Sequence, residues 1–255
     1  MAHPLGIDFG GSGIKAAPVD LDRGEFAAER VRIPTPRAST PDNVAAVLGE
    51  LAAAYPRSGD GPVGVTVPGV VRHGVIGSAA NIDDSWIGTD AAQVFGSALG
   101  RPVHVLNDAD AAGLAEVAYG AARGHTGLVV VTTLGTGIGA AIVHDGTLVP
   151  NAELGHLWLD LGEGAEPRAV HAESWAANSA REREDLGWEE WAERLSVYYA
   201  TLERLFSPDL VVVGGGVSKK ADKFLHLVRT SVPLVPAALR NSAGIVGAAL
   251  AASRA

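Results

Sequence analysis

Two glycine-rich segments contain the residues best suited to hold an anion. Residues 6–15 read GIDFGGSGIK and residues 133–142 read TLGTGIGAAI, so each places glycines between two apolar runs. Neither has the G-x-G-x-x-G spacing before a helix that is typical of a Rossmann fold. Both fit a strand, a tight turn and a second strand, in which glycine allows positive φ and a close approach of backbone N–H groups to a ligand. Two such hairpins predict a duplicated fold that holds phosphate.

The predicted phosphate-binding residues lie in the turns of these hairpins. Lys15 ends the first segment and either reaches the phosphates or faces solvent. The full set is Gly10, Gly11, Ser12, Gly13, Lys15, Thr133, Gly135, Thr136 and Gly137.

Two aspartates complete a set of residues for phosphoryl transfer, which needs held phosphates, a divalent metal and a carboxylate near the acceptor hydroxyl. Asp8 ends the first apolar run beside the glycine turn, where it can hold Mg²⁺ directly or through water. Asp108 follows the short apolar strand 103–106, and ligands of α/β proteins bind at the carboxyl ends of strands. Asp108 either accepts the proton of an attacking hydroxyl or caps the following helix, and Asp110 is the alternative cap.

Glu153 and His156 lie three residues apart after the second hairpin, and both side chains can hydrogen-bond a polyol. The alternative for His156 alone is a structural role. The chain has no cysteine, so His156 lacks thiolate partners and we expect no zinc site. Asn81 and Asp84 lie on a segment without regular pattern, where turn residues are the default interpretation.

The last third of the chain contains a second candidate anion site. Gly214, Gly215 and Gly216 follow an apolar strand and precede a predicted helix, a place where a nucleotide base or ribose can lie on bare backbone. A simple tight turn is the alternative. Three of the four lysines, Lys219, Lys220 and Lys223, fall together in the helix predicted next. This lysine cluster is either an anion site or a solvated helix face.

Composition limits the class of protein. The chain has 255 residues, 47% of them apolar, which is enough for one large or two small α/β domains. A net charge of −9 argues against nucleic-acid partners. The N-terminus has no charged segment followed by a long apolar run, and no apolar run is long enough to span a membrane. We therefore expect a cytoplasmic protein without membrane contact.

Strands and helices alternate after the first hairpin, which indicates an α/β fold. The predicted strands are 5–9, 14–19, 31–33, 62–67, 103–106, 128–134, 140–143, 210–213 and 232–235. The predicted helices are 41–51, 90–99, 111–119, 174–183, 188–206 and 244–252. Helix 188–206 has an apolar stripe that either packs in its own core or forms a dimer interface.

Taken in order, the motifs resemble the ROK family of sugar kinases, which has the actin/hexokinase-like (ribonuclease H-like) ATPase fold. Residues 8–15 are similar to its first phosphate motif, 133–139 to its second and 212–218 to its adenosine motif. Residues 107–110 match the segment with the sugar-binding asparagine and the catalytic aspartate, and 153–156 match its Glu-x-Gly-His motif. The similarity covers nearly the whole chain.

The resemblance implies two lobes around a cleft, residues 1–107 with the terminal helix 242–255 and residues 108–241, in a homodimer. It implies Asp108 as general base and Asp8 as the Mg²⁺ ligand. It also implies a glucose site made of Asn81, Asn107, Asp108, Glu153, His156 and Glu173. Many members have a Cys-rich zinc motif after the histidine, which cannot form here, and a loop around 162–170 stands in its place. The register of Glu173 is not fixed without those cysteines.

The lysine cluster and the helix that begins at Trp188 are similar to the actinobacterial polyphosphate glucokinases and polyphosphate/ATP glucomannokinases of this family. That similarity implies transfer from inorganic polyphosphate, and also ATP, to the 6-hydroxyl of glucose or mannose. Lysines suit a sliding polyanion as mobile point charges. A strictly ATP-dependent ROK hexokinase is the alternative enzyme. A non-catalytic ROK sugar sensor is the alternative from another class, and it predicts an N-terminal helix-turn-helix for which we expect no room before Gly6.

Overall fold

A computed structural model describes residues 3–56, 58, 61–79, 81–162 and 169–255. The strands are β1 Leu5–Gly10, β2 Gly13–Asp20, β3 Glu25–Phe26, β4 Val31–Ile33, β5 Val63–Val67, β6 Val71–Arg72, β7 Val75–Ile76, β8 Val103–Asn107, β9 Leu128–Leu134, β10 Ile138–His144, β11 Thr147–Val149, β12 Trp158–Asp160, β13 Ala169–His171, β14 Leu210–Gly214 and β15 Leu234–Pro236. The helices are α1 Pro41–Ala53, α2 Ala91–Leu99, α3 Asp108–Tyr119, α4 Ala172–Ala176, α5 Asn178–Arg183, α6 Trp188–Phe206 and α7 Ala243–Arg254. Within the described chain, no helix is both long and apolar enough to cross a membrane.

The chain divides into two compact units. The first contains Met1–Ala115 together with Ser242–Ala255, and the second contains Glu116–Asn241. The terminal helix α7 packs on strands β1 and β5 of the first unit. The domain boundary at residue 107 stays a prediction, since the division of contacts falls inside helix α3.

Each unit has one large sheet, and the two sheets have the same plan. In the first, the order is β3-β2-β1-β5-β8, with β4 also paired to β2. In the second, the order is β11-β10-β9-β14-β15. Each begins with an antiparallel hairpin, β1–β2 or β9–β10, whose first strand is followed by two parallel strands. The internal duplication predicted from the two glycine segments is therefore present.

Helix α6 has the predicted bounds and packs by its apolar stripe into the core of the second unit. Trp191, Leu195, Tyr198, Tyr199 and Leu202 are buried there. Leu205, at the end of the same stripe, is 57% exposed. Of the two interpretations of the stripe, core packing accounts for nearly all of it.

Several predicted elements differ from the structure, and helix α3 begins at Asp108, three residues before the expected start. The single helix expected at 174–183 is two helices, α4 and α5, with extended backbone at Ala177. The last strand is Leu234–Pro236 and begins two residues later than expected. Thr40 is the residue before α1, and its side chain makes no capping bond. The loop expected around 162–170 falls largely outside the described residues, apart from strand β13.

Helix α7 lies on two glycines that are direct neighbours in adjacent strands, Gly6 of β1 and Gly64 of β5. A Cβ atom on Gly6 would overlap the carbonyl oxygen of Ile245, and one on Gly64 would overlap that of Ala248. Both carbonyls belong to α7, so the helix backbone rests directly on the strand backbone. Any side chain at either position must push the helix away from the sheet.

We predict that Gly64→Ala lowers the free energy of unfolding by about 1–3 kcal/mol, because the new methyl group has no room under α7. Gly49→Ala is the matched control, because Gly49 lies within α1 and no atom lies near the position that a Cβ would take there (its virtual Cβ). There alanine should raise stability by about 0.5–1 kcal/mol through helix propensity. Urea unfolding of both variants measures the difference, and equal midpoints would contradict the tight seat of α7.

Candidate active site

The first glycine hairpin closes at the pair Gly10–Gly13, and its turn is exposed. None of its glycines has φ in the left-handed region, so the expected need for positive φ is wrong here. Space constrains Gly11, whose neighbour is a backbone atom, more than Gly13, whose neighbour is the end of a flexible side chain. A Cβ on Gly11 would lie 2.9 Å from the carbonyl oxygen of Asn81, and one on Gly13 would lie 2.6 Å from the Arg32 guanidinium. The structure thus brings the predicted Asn81 loop against the predicted phosphate turn.

Asp8 is held by two side chains of its own unit. Lys15 Nζ lies 2.9 Å from Asp8 Oδ2, and Thr66 Oγ1 donates to Asp8 Oδ1 at 3.1 Å. Lys15 therefore pairs with the carboxylate rather than pointing freely into solvent. Thr66 was missed by sequence reasoning, although a hydroxyl in an otherwise apolar buried strand is a usable signal.

The Asp8 carboxylate fits a magnesium ion that arrives with phosphates. Each of its oxygens retains lone pairs after accepting one bond. Mg²⁺ in such sites usually takes one or two carboxylates and completes its shell with water and substrate phosphate. Among the described residues, no group of three or more His, Cys, Asp or Glu side chains is placed to hold a metal ion.

The turn from β8 into α3 is fixed by Asn107. Its Oδ1 accepts from the backbone N–H groups of Ala109 and Asp110, at 2.8 and 3.0 Å. Its Nδ2 donates to the carbonyl of Gly69 at 3.1 Å. Asn107 is thus the helix cap, and the expectation that Asp110 could serve as the cap is wrong. Asp108 is the first residue of α3 and is exposed, although its own Oδ1 also accepts from Ala109 N at 2.8 Å.

The second glycine hairpin is held from two sides by the segment that follows strand β13. Glu173 Oε2 accepts from the backbone N–H of Ile138 at 2.9 Å, and a Cβ on Gly137 would overlap that oxygen. Ser179 donates its N–H to the carbonyl of Gly135 at 3.0 Å and its hydroxyl to the carbonyl of Thr136. The break between α4 and α5 lets both residues reach the hairpin.

Two buried tyrosines of α6 lie in the same core cluster as apolar residues of this hairpin. Tyr199 Oη lies 2.9 Å from Thr132 Oγ1 on strand β9. Burial raises the pKa of Tyr199 above its ordinary range, and the Thr132 bond opposes this weakly. Burial also raises the pKa of Tyr198, with smaller contributions from Tyr199 and Glu173. Both phenols therefore stay protonated and add no charge under the hairpin.

The Glu-x-Gly-His segment forms a 3₁₀ turn that rests on the same hairpin. A Cβ on Gly155 would overlap the carbonyl oxygen of Ile138. The N–H of Ile138 donates to Glu173. Ile138 therefore contacts both predicted sugar-binding segments, Gly155 through its carbonyl oxygen and Glu173 through its N–H. His156 Nε2 lies 3.8 Å from Glu153 Oε2, and both side chains are accessible, with 60% and 38% exposure.

A pocket of about 270 Å³ lies between the second hairpin and the segment that begins at Gly216, after β14. Its lining residues are Gly135, Thr136, Asn178, Ser179, Glu182, Gly216, Val217 and Lys220. Gly215 has φ +82° and its virtual Cβ would overlap the backbone of Leu134, so only glycine can hold the two loops together here. The pocket thus borders the turn of the second hairpin.

The lysine cluster follows this pocket, although in a different conformation from the predicted helix. Residues Gly216–Lys223 form 3₁₀ turns with a non-helical residue at Lys220. Lys219, Lys220 and Lys223 are exposed, and Lys220 also lines the pocket. The Nζ atoms of Lys220 and Lys223 each lie 5.9 Å from the centre of the Trp188 ring. Two of the three cations are thereby grouped near one aromatic ring, and Lys220 also lines the pocket.

Two further polar residues of the second unit were missed by sequence reasoning. Ser179 had no local signal, because its role depends on a hairpin more than forty residues away. His171 Nε2 lies 3.2 Å from His156 Nδ1, and its position two residues before Glu173 was the available signal.

Residues 4–171 match the ROK family. The chain belongs to the ROK family. The polyphosphate glucokinase of Mycobacterium tuberculosis H37Rv is 49% identical over 250 residues, which is 98% of this chain and 91% of that protein. That of Mycobacterium leprae is 46% identical, covering 98% of this chain and 74% of that protein.

Solved structures of ROK kinases share this fold and confirm the predicted actin/hexokinase-like class. The inorganic polyphosphate/ATP-glucomannokinase of Arthrobacter sp. strain KM has a TM-score of 0.91 and 50% identity, covering 100% of this chain and 99% of that chain. A ROK glucokinase of Streptomyces griseus, solved with glucose and AMPPNP, has a TM-score of 0.82 and 25% identity, covering 99% of this chain and 100% of that chain.

We predict that Asn107→Asp lowers the free energy of unfolding of this ROK protein by about 1–3 kcal/mol. Aspartate keeps the cap of α3 but places a carboxylate against the Gly69 carbonyl, where the buried amide donated. Asn43→Asp is the control, because it removes a similar amide bond, to the carbonyl of Ala38 at 2.9 Å, on the exposed surface. There we expect a change within about 0.5 kcal/mol. Thermal unfolding compares the two, and equal losses would exclude a buried role for the Asn107 amide.

Proposed function

We propose that this protein transfers the terminal phosphoryl group of inorganic polyphosphate to the 6-hydroxyl of glucose and so forms glucose 6-phosphate. The observation that carries the choice of donor is Lys220, which lines the pocket beginning at the second phosphate hairpin. Lys223 lies beside it on the same aromatic ring. Polyphosphate carries about one negative charge per unit and extends beyond the transfer site, so it benefits from cations that lead away from the hairpin. The relatives of about half identity are named for the same activity.

Asp108 is proposed as the general base. It stands exposed at the carboxyl end of β8 and in the first turn of α3, a position that favours its negative charge. As the glucose oxygen bonds to the terminal phosphorus, Asp108 takes the hydroxyl proton and the shortened polyphosphate leaves with the electron pair of the broken P–O bond. Asn107 fixes the backbone on which this carboxylate stands.

Glucose binding is proposed to involve Asn81, Asn107, Glu153, His156 and Glu173 in addition to the base. The Asn107 amide has two hydrogens, of which Gly69 accepts one, and we assign the second to a sugar hydroxyl. Glu153 and His156 present an acceptor and a ring nitrogen at the surface. Glu173 already binds Ile138 through one oxygen, so the other oxygen is the one proposed for glucose.

The donor phosphates are proposed to bind the N–H groups of the two glycine hairpins. Asp8 would hold a magnesium ion, which supplies charge neutralisation for the phosphates when it is bound. If Asp8 held that ion, Lys15, now paired with Asp8, would be available to contact the phosphates. A homodimer and a cytoplasmic location remain predictions.

ATP is the second candidate donor, and the bare backbone of Gly216 beside the pocket favours it. Adenine or ribose can lie against a glycine that has nothing near its virtual Cβ. The Arthrobacter relative is named for both donors, and for mannose as well as glucose. We therefore propose ATP as a second donor and mannose as a second acceptor.

We predict that Asp108→Asn lowers the kcat for glucose 6-phosphate formation from polyphosphate by about 10²–10⁴-fold, the usual contribution of a general base. Glucose binding by calorimetry should persist, because the amide keeps the shape of the side chain. Asp42→Asn is the control, since Asp42 is an exposed first-turn aspartate of α1. A turnover of Asp108→Asn within threefold of the control would refute the assignment.

A further inference from the structure

His156 is the first member of a chain of polar contacts that continues away from Glu153. Its Nδ1 lies 3.2 Å from Nε2 of His171, and Nδ1 of His171 lies 3.3 Å from the hydroxyl of Ser174. On the other side, Nε2 of His156 lies 3.8 Å from Oε2 of Glu153. His171 thus stands between His156 and Ser174 and contacts each through a different ring nitrogen.

The backbone around His171 is fixed on both sides. His171 pairs with Trp158 across strands β12 and β13, and their rings meet edge to face with centres 5.7 Å apart. The next residue, Ala172, donates its N–H to the carbonyl of Leu157 at 2.9 Å. Leu157 directly follows His156, so this small sheet places the two imidazoles together.

The direction of the hydrogen bonds decides which nitrogen of His156 is protonated. A neutral imidazole has one N–H donor and one acceptor nitrogen. If Ser174 donates to His171, then His171 donates to Nδ1 of His156, and His156 has its hydrogen on Nε2, facing the Glu153 carboxylate. The opposite direction places the lone pair of Nε2 toward that carboxylate, which is repulsive. The carboxylate, 3.8 Å from Nε2, therefore biases the chain of bonds toward the first arrangement, and the hydrogen bond from His171 to Nδ1 of His156 fixes it.

We propose that His171 is a positioning residue that holds His156 as its Nε2–H tautomer. In this state His156 presents a donor and Glu153 an acceptor on one exposed surface, which matches a pair of sugar hydroxyls. The proposal rests on the proposed function, in which His156 binds glucose. It also gives the pairing of β12 with β13 a role in a chain that has no cysteine to restrain His156 through a metal.

The direct test is a long-range ¹H–¹⁵N correlation spectrum at about pH 8.5, where histidine side chains are ordinarily neutral. The His156 signals are assigned by their loss in His156→Asn. We expect His156 as the Nε2–H tautomer in the wild-type protein and as a mixture of tautomers in His171→Phe, which keeps a ring but has no donor. Finding His156 as the Nδ1–H tautomer, or an unchanged tautomer in His171→Phe, would overturn the proposal.

Kinetics separate this inference from the function on which it rests. We expect His171→Phe to raise the KM for glucose about tenfold, with the KM for polyphosphate unchanged. His171→Gln retains an amide donor and should recover to within about threefold of wild type. His125→Phe, at an exposed position in a loop, is the control. A changed tautomer with an unchanged glucose KM would refute glucose binding by His156, whereas equal effects of Phe and Gln would refute hydrogen bonding by His171.

Discussion

Direct contact between backbone segments, possible only where a residue has no Cβ, is the constraint on which both units depend. In the first unit, Gly6 and Gly64 let helix α7 rest on the strands that lead to Asp8. In the second, Gly155 rests on the carbonyl of Ile138 and Gly215 lies against Leu134. A methyl group at any of these positions would separate segments that carry the proposed chemistry. The glycines therefore serve mainly to remove side-chain volume, and only Gly215 among them also needs positive φ.

The polar residues proposed for catalysis and binding are held by hydrogen bonds and ion pairs that leave some of their polar atoms available to a ligand. Asn107 uses its carbonyl for the α3 cap and one amide hydrogen for Gly69, while the neighbouring Asp108 stays exposed. Asp8 is paired with Lys15, so the charge of its carboxylate is balanced by a side chain of the same hairpin. In the second unit Glu173 fixes the hairpin through a backbone N–H, which leaves the hairpin turn itself open to a ligand. Restraint and accessibility are thus provided by different atoms of the same groups.

Much of this arrangement could be predicted from sequence because it is local. Apolar runs gave the strands of both hairpins, and the helix Trp188–Phe206 was predicted with its observed bounds. The strand-end location of Asp108 followed from the same patterns. What could not be predicted depends on partners distant in sequence. The break at Ala177 allows Ser179 to bond the carbonyl of Thr136. The contact of His171 with His156 depends on the pairing of β12 with β13. The 3₁₀ turns at the lysine cluster have no distinct local pattern.

We propose that the lysine cluster binds polyphosphate as the phosphoryl donor. The test is the ratio of kcat/KM for polyphosphate to kcat/KM for ATP. It is measured in nucleotide-free protein, before and after Lys219, Lys220 and Lys223 are changed to glutamate together. We expect the wild-type protein to form glucose 6-phosphate from polyphosphate alone. We expect the ratio to fall by at least about tenfold in the variant. Glutamate at the exposed Arg30, Arg123 and Arg254 controls for net charge. An equal loss of kcat/KM with both donors, or no product from polyphosphate in the wild-type protein, would contradict polyphosphate binding by the lysine cluster.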